Sequence, residues 1–157
     1  MKAPQVSGVM LAVTGLFQAV AALGTLIPSF IDDRVAEQFL PVWRLLLRPI
    51  RGDAPDDLLL QALAHGSQWL IGASEVVIAI SLFGAAFLRR RRLAWANFGL
   101  GYAYALFGVF MVVMFALDDK SLPKWHMHLA VLTWLGVTWL IVALTDSRPA
   151  TPADQGA

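Results

Sequence analysis

Four long apolar runs organise the chain: about Ser7 to Ile27, closed by Pro28, then Gly66 to Leu88, Leu93 to Leu117 and Trp125 to Leu144. Each is about 20 residues or slightly more, enough to cross ~30 Å of hydrocarbon at ~1.5 Å per residue. Strand-like alternation is absent. Inside a bilayer the backbone must satisfy its own hydrogen bonds, so each run is predicted to be a helix. The expected fold class is all-α: an integral membrane four-helix bundle. A single four-span domain is expected over residues 1–146, with a disordered cytoplasmic tail over 147–157. A cleaved signal peptide is the rival reading of the first run, with Lys2 before it and "AVAA" at residues 19–22 as the cleavage site. The run continues through Leu23 to Ile27, which is long for such a peptide and favours a span.

Between the first two runs lies an external segment. In it Val35, Phe39, Trp43, Leu46 and Leu47 recur at helical spacing, while Arg44 and Arg48 fall elsewhere on the wheel. This predicts an amphipathic helix bent at Pro41, either lying on the membrane surface or packed as a lid on the outer end of the bundle. The stretch "GDAPDD" then breaks the chain, and Asp56 or Asp57 is suited to cap a helix that starts near Leu58, outside the bilayer. "DDKSLPK" joins spans three and four, with Ser121 as a cap and Pro123 in the first turn. Trp69, Trp95 and Trp125 stand near span ends, where indole prefers the interface.

Composition narrows the chemistry. The 157 residues are 58% hydrophobic and 15% charged, against about 25% charged in soluble domains, which fits membrane spans better than one soluble core. A net charge of +1 gives no footprint for nucleic acid. The absence of cysteine excludes thiol redox chemistry, disulfides, iron–sulfur clusters and Cys-ligated zinc. Orientation rests on "RRRR", residues 89–92, which forms nearly the whole link between spans two and three. Lys2, Arg89 to Arg92 and Arg148 balance Arg34, Arg44, Arg48, Arg51, Lys120 and Lys124 in number, so the density of the arginine cluster decides. It places that link, and with four spans both termini, on the cytoplasmic side.

Within the spans, polar and small residues fall in stripes. On the second helix Gln61, His65, Gln68, Gly72 and Glu75 lie within an arc of about 80°, continued by Ala79 and Ala86. Ser7, Thr14, Gln18 and Thr25 share a face of the first; Asn97, Gly101, Tyr104 and Gly108 of the third; His126, Ala130 and Thr133 of the fourth. These faces are expected to turn inward and meet. The plain account is helix glue: small residues allow close approach, and amides and hydroxyls bond across the bundle.

Glu75 asks for more. It is expected near mid-membrane, where a carboxylate costs at least ~2.5 kcal/mol. The arginines lie at span ends, so its expected partners are neutral: Gln18, Ser74, Asn97 or Tyr104. Burial favours the neutral acid. As such it serves either as a structural hydrogen-bond donor or in proton transfer and the binding of a polar head group. The candidate ligand-binding or proton-handling set is Glu75, Gln68, Gln18, Asn97 and Tyr104. All three histidines lie at the outer end. His65 with His126 or His128 has the chemistry to ligate a haem b, or a metal ion with Asp118 or Asp119; the plain reading is interfacial histidines.

The segment "IGASEVVIAISLFGAAF" resembles the "G-x-x-E" stretch of the DoxX-like family, with Gly72 and Glu75 at the motif positions. The overall plan is also similar over residues 7–145: four spans, a long first external segment and a tight basic second link. The chain departs from the family in carrying Gln5 and Ser7 where Arg often precedes the first span. The resemblance implies a redox-associated accessory role, since members resemble quinone-linked oxidoreductase subunits, partners in membrane oxidoreductase complexes, or assembly factors. The expectation is therefore a small protein of a bacterial inner membrane that is not an enzyme by itself. It would bind a quinone-like ligand and work with another membrane protein or as a homo-oligomer. The alternatives are a ligand-free assembly protein, gripped through the external helix, and a haem b carrier.

Overall fold

The computed structural model describes residues 3–28, 34–51, 56–88, 91–116 and 125–146. The elements are α1 (Ala3–Leu26), α2 (Arg34–Glu37), α3 (Leu40–Arg51), α4 (Asp57–Phe87), α5 (Arg92–Ala116) and α6 (Trp125–Asp146). Four of them are long and apolar enough to cross a membrane, and there is no strand among the described residues. The expected all-α bundle is present, and the chain is a multi-pass membrane protein. The tail 147–157, the link 117–124 with Ser121 and Pro123, and Arg89 and Arg90 lie outside the described residues.

The four spans form a closed ring. α1 packs on α4 and α6, and α5 packs on the same two, so α1 faces α5 and α4 faces α6 across the diagonals. Neighbours run antiparallel. One end of the bundle carries the arginine turn; the other carries α2 and α3.

The α1–α4 interface is the broadest. Ser7, Leu11, Thr14, Gln18 and Ala22 recur at spacings of three and four, and all are buried. Helical geometry puts them on one face, which α4 covers together with α6, whose Trp134 Nε1 donates to Thr14 Oγ1 at 2.9 Å. Opposite them α4 buries Leu60, Ala64, Gln68, Gly72, Glu75, Ala79 and Leu82. The central apolar layer joins Leu11, Ile78, Leu82, Leu100, Ala103, Leu135 and Val142. Close approach of α5 to α4 depends on Gly99, where an added Cβ would stand 2.9 Å from Leu82 Cδ2 and 3.1 Å from Ser81 Cβ.

Two inward faces differ from expectation. On α5 the buried residues are Ala96, Gly99, Leu100, Ala103 and Phe107, whereas Asn97 is exposed and Tyr104 is 44% exposed. On α6 they are Leu135, Thr138 and Val142, whereas His126, Ala130 and Thr133 are exposed. The reason is packing: Ala96, Gly99 and Ala103 offer α5 a narrower surface against α4 than the face with Tyr104 does. Lipid tails are as apolar as Leu, so polarity alone does not select the inner face.

α4 begins at Asp57, well before the apolar run that opens at Gly66. Asp56 caps it, its side chain accepting from the Leu58 N–H at 3.0 Å. At 31 residues the helix is about 46 Å long, more than the hydrocarbon needs, and its first turns stand beyond it. Those turns carry the external segment, which packs on α4 through both α2 and α3. The single bent helix expected around Pro41 is two helices, parted by a turn at Gln38 and Phe39. Pro41 falls in the first turn of α3, where its missing N–H costs nothing.

At the other end, Leu88 ends α4 with its N–H bonded to Gly84 O at 2.8 Å. Arg91 takes a left-handed φ of 63°, and Arg92 opens α5. Its Nη2 donates to Ser7 Oγ at 2.6 Å, tying the turn to α1.

Candidate polar site between α1 and α4

Glu75 is 5% exposed and points into the α1–α4 seam. Its partner is Thr25: Thr25 Oγ1 and Glu75 Oε2 are 3.0 Å apart. Thr25 Oγ1 also stands 3.0 Å from Ala21 O, one turn back on its own helix. A hydroxyl has one hydrogen. The Thr25 hydroxyl donates to Glu75 Oε2 and shares its single hydrogen with Ala21 O. Glu75 has no ion-pair partner among the described residues. Its neighbour is the carbonyl end of α1, the negative end of that helix, where a second negative charge is disfavoured.

Gln68, two turns earlier on α4, closes the same corner. Its Nε2 donates to Thr25 O at 2.8 Å. The last carbonyls of a helix lack an internal partner. Leu23 O is taken by the Ile27 N–H at 3.0 Å, and Gln68 satisfies Thr25 O. Between Gln68 and Glu75 lies Gly72, and a Cβ there would overlap the Leu26 side chain. The bare backbone at 72 is what lets the end of α1 sit down on α4.

Thr25 is the penultimate residue of α1, so the Glu75 carboxyl lies level with the last turn of that helix. Side chains on a helix lean toward its N-terminus, which carries the carboxyl further toward the α3 end. A carboxyl near the boundary is less costly than one at the centre.

Gln18 lies deeper in the same seam. It is 0% exposed, and neither Nε2 nor Oε1 has a partner. It leans toward the arginine end while Glu75 leans the other way, so the expected Gln18–Glu75 contact is not made. Gln68 Oε1 is also buried without a partner. An unpartnered buried amide costs ~1–3 kcal/mol, so this seam holds hydrogen-bonding capacity the protein does not itself use.

Asn97 and Tyr104 stand away from the seam. Asn97 Oδ1 accepts from Trp139 Nε1 at 3.0 Å, and the Tyr104 ring packs edge-on to Trp139 at 6.5 Å, both on the outer side of the α5–α6 pair. The tyrosine that reaches α4 is Tyr102, its hydroxyl 2.7 Å from Ser74 Oγ, which itself donates to Leu70 O at 2.7 Å. Ser74 therefore bonds Tyr102 rather than Glu75. Thr25 and Tyr102 were missing from the candidate set. Thr25 was signalled by its place on the Gln18 stripe; nothing in the sequence separated Tyr102 from Tyr104.

His65 is on α4, and His126 and His128 are on α6 across the diagonal. His128 packs against Phe107 and Phe110, at 5.8 and 5.7 Å between ring centres. No group of three His, Cys, Asp or Glu residues suited to a metal occurs among the described residues; Asp118 and Asp119 lie outside them. His126 and His128 thus face different surroundings, as their ~200° separation on a helix requires.

No family model matches the chain, and no curated protein or solved structure matches it either.

Proposed function

We propose that this protein is a small binding module of a bacterial inner membrane, with both termini cytoplasmic, that holds a quinone-like head group in the α1–α4 seam. In this reading it serves a redox enzyme as an accessory subunit and carries no catalytic residue of its own. The observation that carries it is the Gln18 amide, fully buried with both polar atoms unpartnered, in the same seam as a buried acid. A quinone carbonyl needs a donor, which Gln18 Nε2 supplies, and a quinol hydroxyl needs an acceptor, which Gln18 Oε1 supplies. Glu75 as a neutral acid adds a second donor, available when a ligand displaces Thr25. The resemblance of "IGASEVVIAISLFGAAF" to the DoxX-like stretch agrees with this role.

The test is photolabelling in native membranes with a light-activated quinone analogue. Label is expected on peptides of α1 and α4, reduced at least about fivefold in Gln18→Leu, a change of roughly 1 kcal/mol. Native mass spectrometry of gently released protein should retain a quinone-sized mass, lost in the same variant. Labelling that is equal in wild type, Gln18→Leu and Glu75→Ala would sink the reading.

A further inference from the structure

α3 is held at a defined height. Trp43 Nε1 donates to Ser67 Oγ at 2.9 Å, and Ser67 in turn donates to Leu63 O at 2.8 Å. The next residue, Gln68, bonds Thr25 O in the last turn of α1. The point where α3 is fastened to α4 is therefore level with the point where α1 leaves the hydrocarbon. Trp43 and Leu47 are half-buried, while Leu45, Leu46 and Ile50 are 43%, 55% and 79% exposed.

On the helical wheel Leu45, Leu46 and Ile50 spread over about 140°, and Arg44 and Arg48, about 40° apart, lie roughly opposite them. Both arginines are exposed, and the helix "LPVWRLLLRPIR" contains no acid. Such a helix has three sides: one for α4, one apolar and open, one cationic. At the height of the span boundary, the open apolar side faces the acyl edge and the arginines stand among head groups.

We propose that α3 is an interfacial helix that binds the phosphates of anionic phospholipids through Arg44 and Arg48, with Leu45, Leu46 and Ile50 inserted at the acyl boundary. Three features select this occupant. The open apolar side, Leu45, Leu46 and Ile50, lies at the height where α1 ends. The charge is of one sign and complements a phosphate, which the guanidinium fork binds in two-point fashion. The Trp43–Ser67 bond fixes the height. Basic side chains near such a surface act over about a Debye length, so the effect depends on lipid charge.

The experiment is hydrogen exchange on the full chain in lipid nanodiscs, of phosphatidylcholine alone or with phosphatidylglycerol. The expected result is exchange over residues 40–51 at least about threefold slower in the anionic discs, with the Arg44→Gln/Arg48→Gln double variant exchanging alike in both. Residues 70–87 of α4 should be unchanged throughout, which separates lost lipid binding from lost fold. Equal exchange in the two discs for the wild type would overturn the proposal. So would protection that survives in the double variant, or protection that appears only when a co-purifying polypeptide is present.

Discussion

The two sides of the ring are built differently. Along α1 and α4 small and polar residues are enclosed, and α4 is the most enclosed span at 50% buried. Along α5 and α6 large apolar residues face outward, and α6 is the least enclosed at 17%. Similar residue types occur on both sides. Gln18 and Thr14 sit in a sealed seam at 0% exposure, while Asn97 and Thr133 sit on the outer face. What separates them is backbone approach. Where backbones close up, a polar side chain is sealed in, and Gln18 goes without a partner while Thr14 accepts from Trp134 Nε1 at 2.9 Å; on the outer face Thr133 bonds Leu129 O at 2.8 Å and Asn97 accepts from Trp139 Nε1.

The sharpest way to break the comparison is to place the same change on both sides. Gly72→Val puts atoms where Leu26 lies, so overpacking of about 2–3 kcal/mol is expected, seen as a large fall in thermal stability in detergent. Gly108→Val, where nothing lies within 4 Å of an added Cβ, should leave stability almost unchanged. If both fall alike, the seam is no tighter than the outer face.

A smaller effect is expected at Gln68. Gln68→Leu removes the donor on Thr25 O and should cost about 1–2 kcal/mol, with faster hydrogen exchange at residues 20–26 rather than throughout the bundle. Gln18→Leu should go the other way. It removes an unpartnered amide, so ligand-free protein is expected to be unchanged or up to about 1 kcal/mol more stable in a melting curve. A clear loss of stability would mean the amide has a structural partner. The smallest effect belongs to the outer face: Asn97→Leu frees Trp139 Nε1 and should cost about 0.6 kcal/mol or less, with a shift in tryptophan emission as the readable sign.

The spans were legible because the bilayer imposes length and apolarity, and α1 was legible because Ser7, Thr14 and Gln18 share a buried face. The inner faces of α5 and α6 were not. Stripes of polar and small residues mark an inner face only when they are also the closest-packing surface. On α5 that surface is Ala96, Gly99 and Ala103, which carry no polar signal. Glu75 and Gln68 share a face of α4 and both reach Thr25, but the depth of that corner depends on where α1 ends relative to α4. Thr25 shows this, and neither helix encodes it alone.

α4 runs unbroken from a capped end beyond the hydrocarbon to the arginine turn. The external helices grip its free end, and the last turn of α1 is bolted near its middle through Gln68 and Glu75. It is therefore the common wall of the molecule: α1, the two external helices and α5 all close on it, so its surface sets the spacing of each of them.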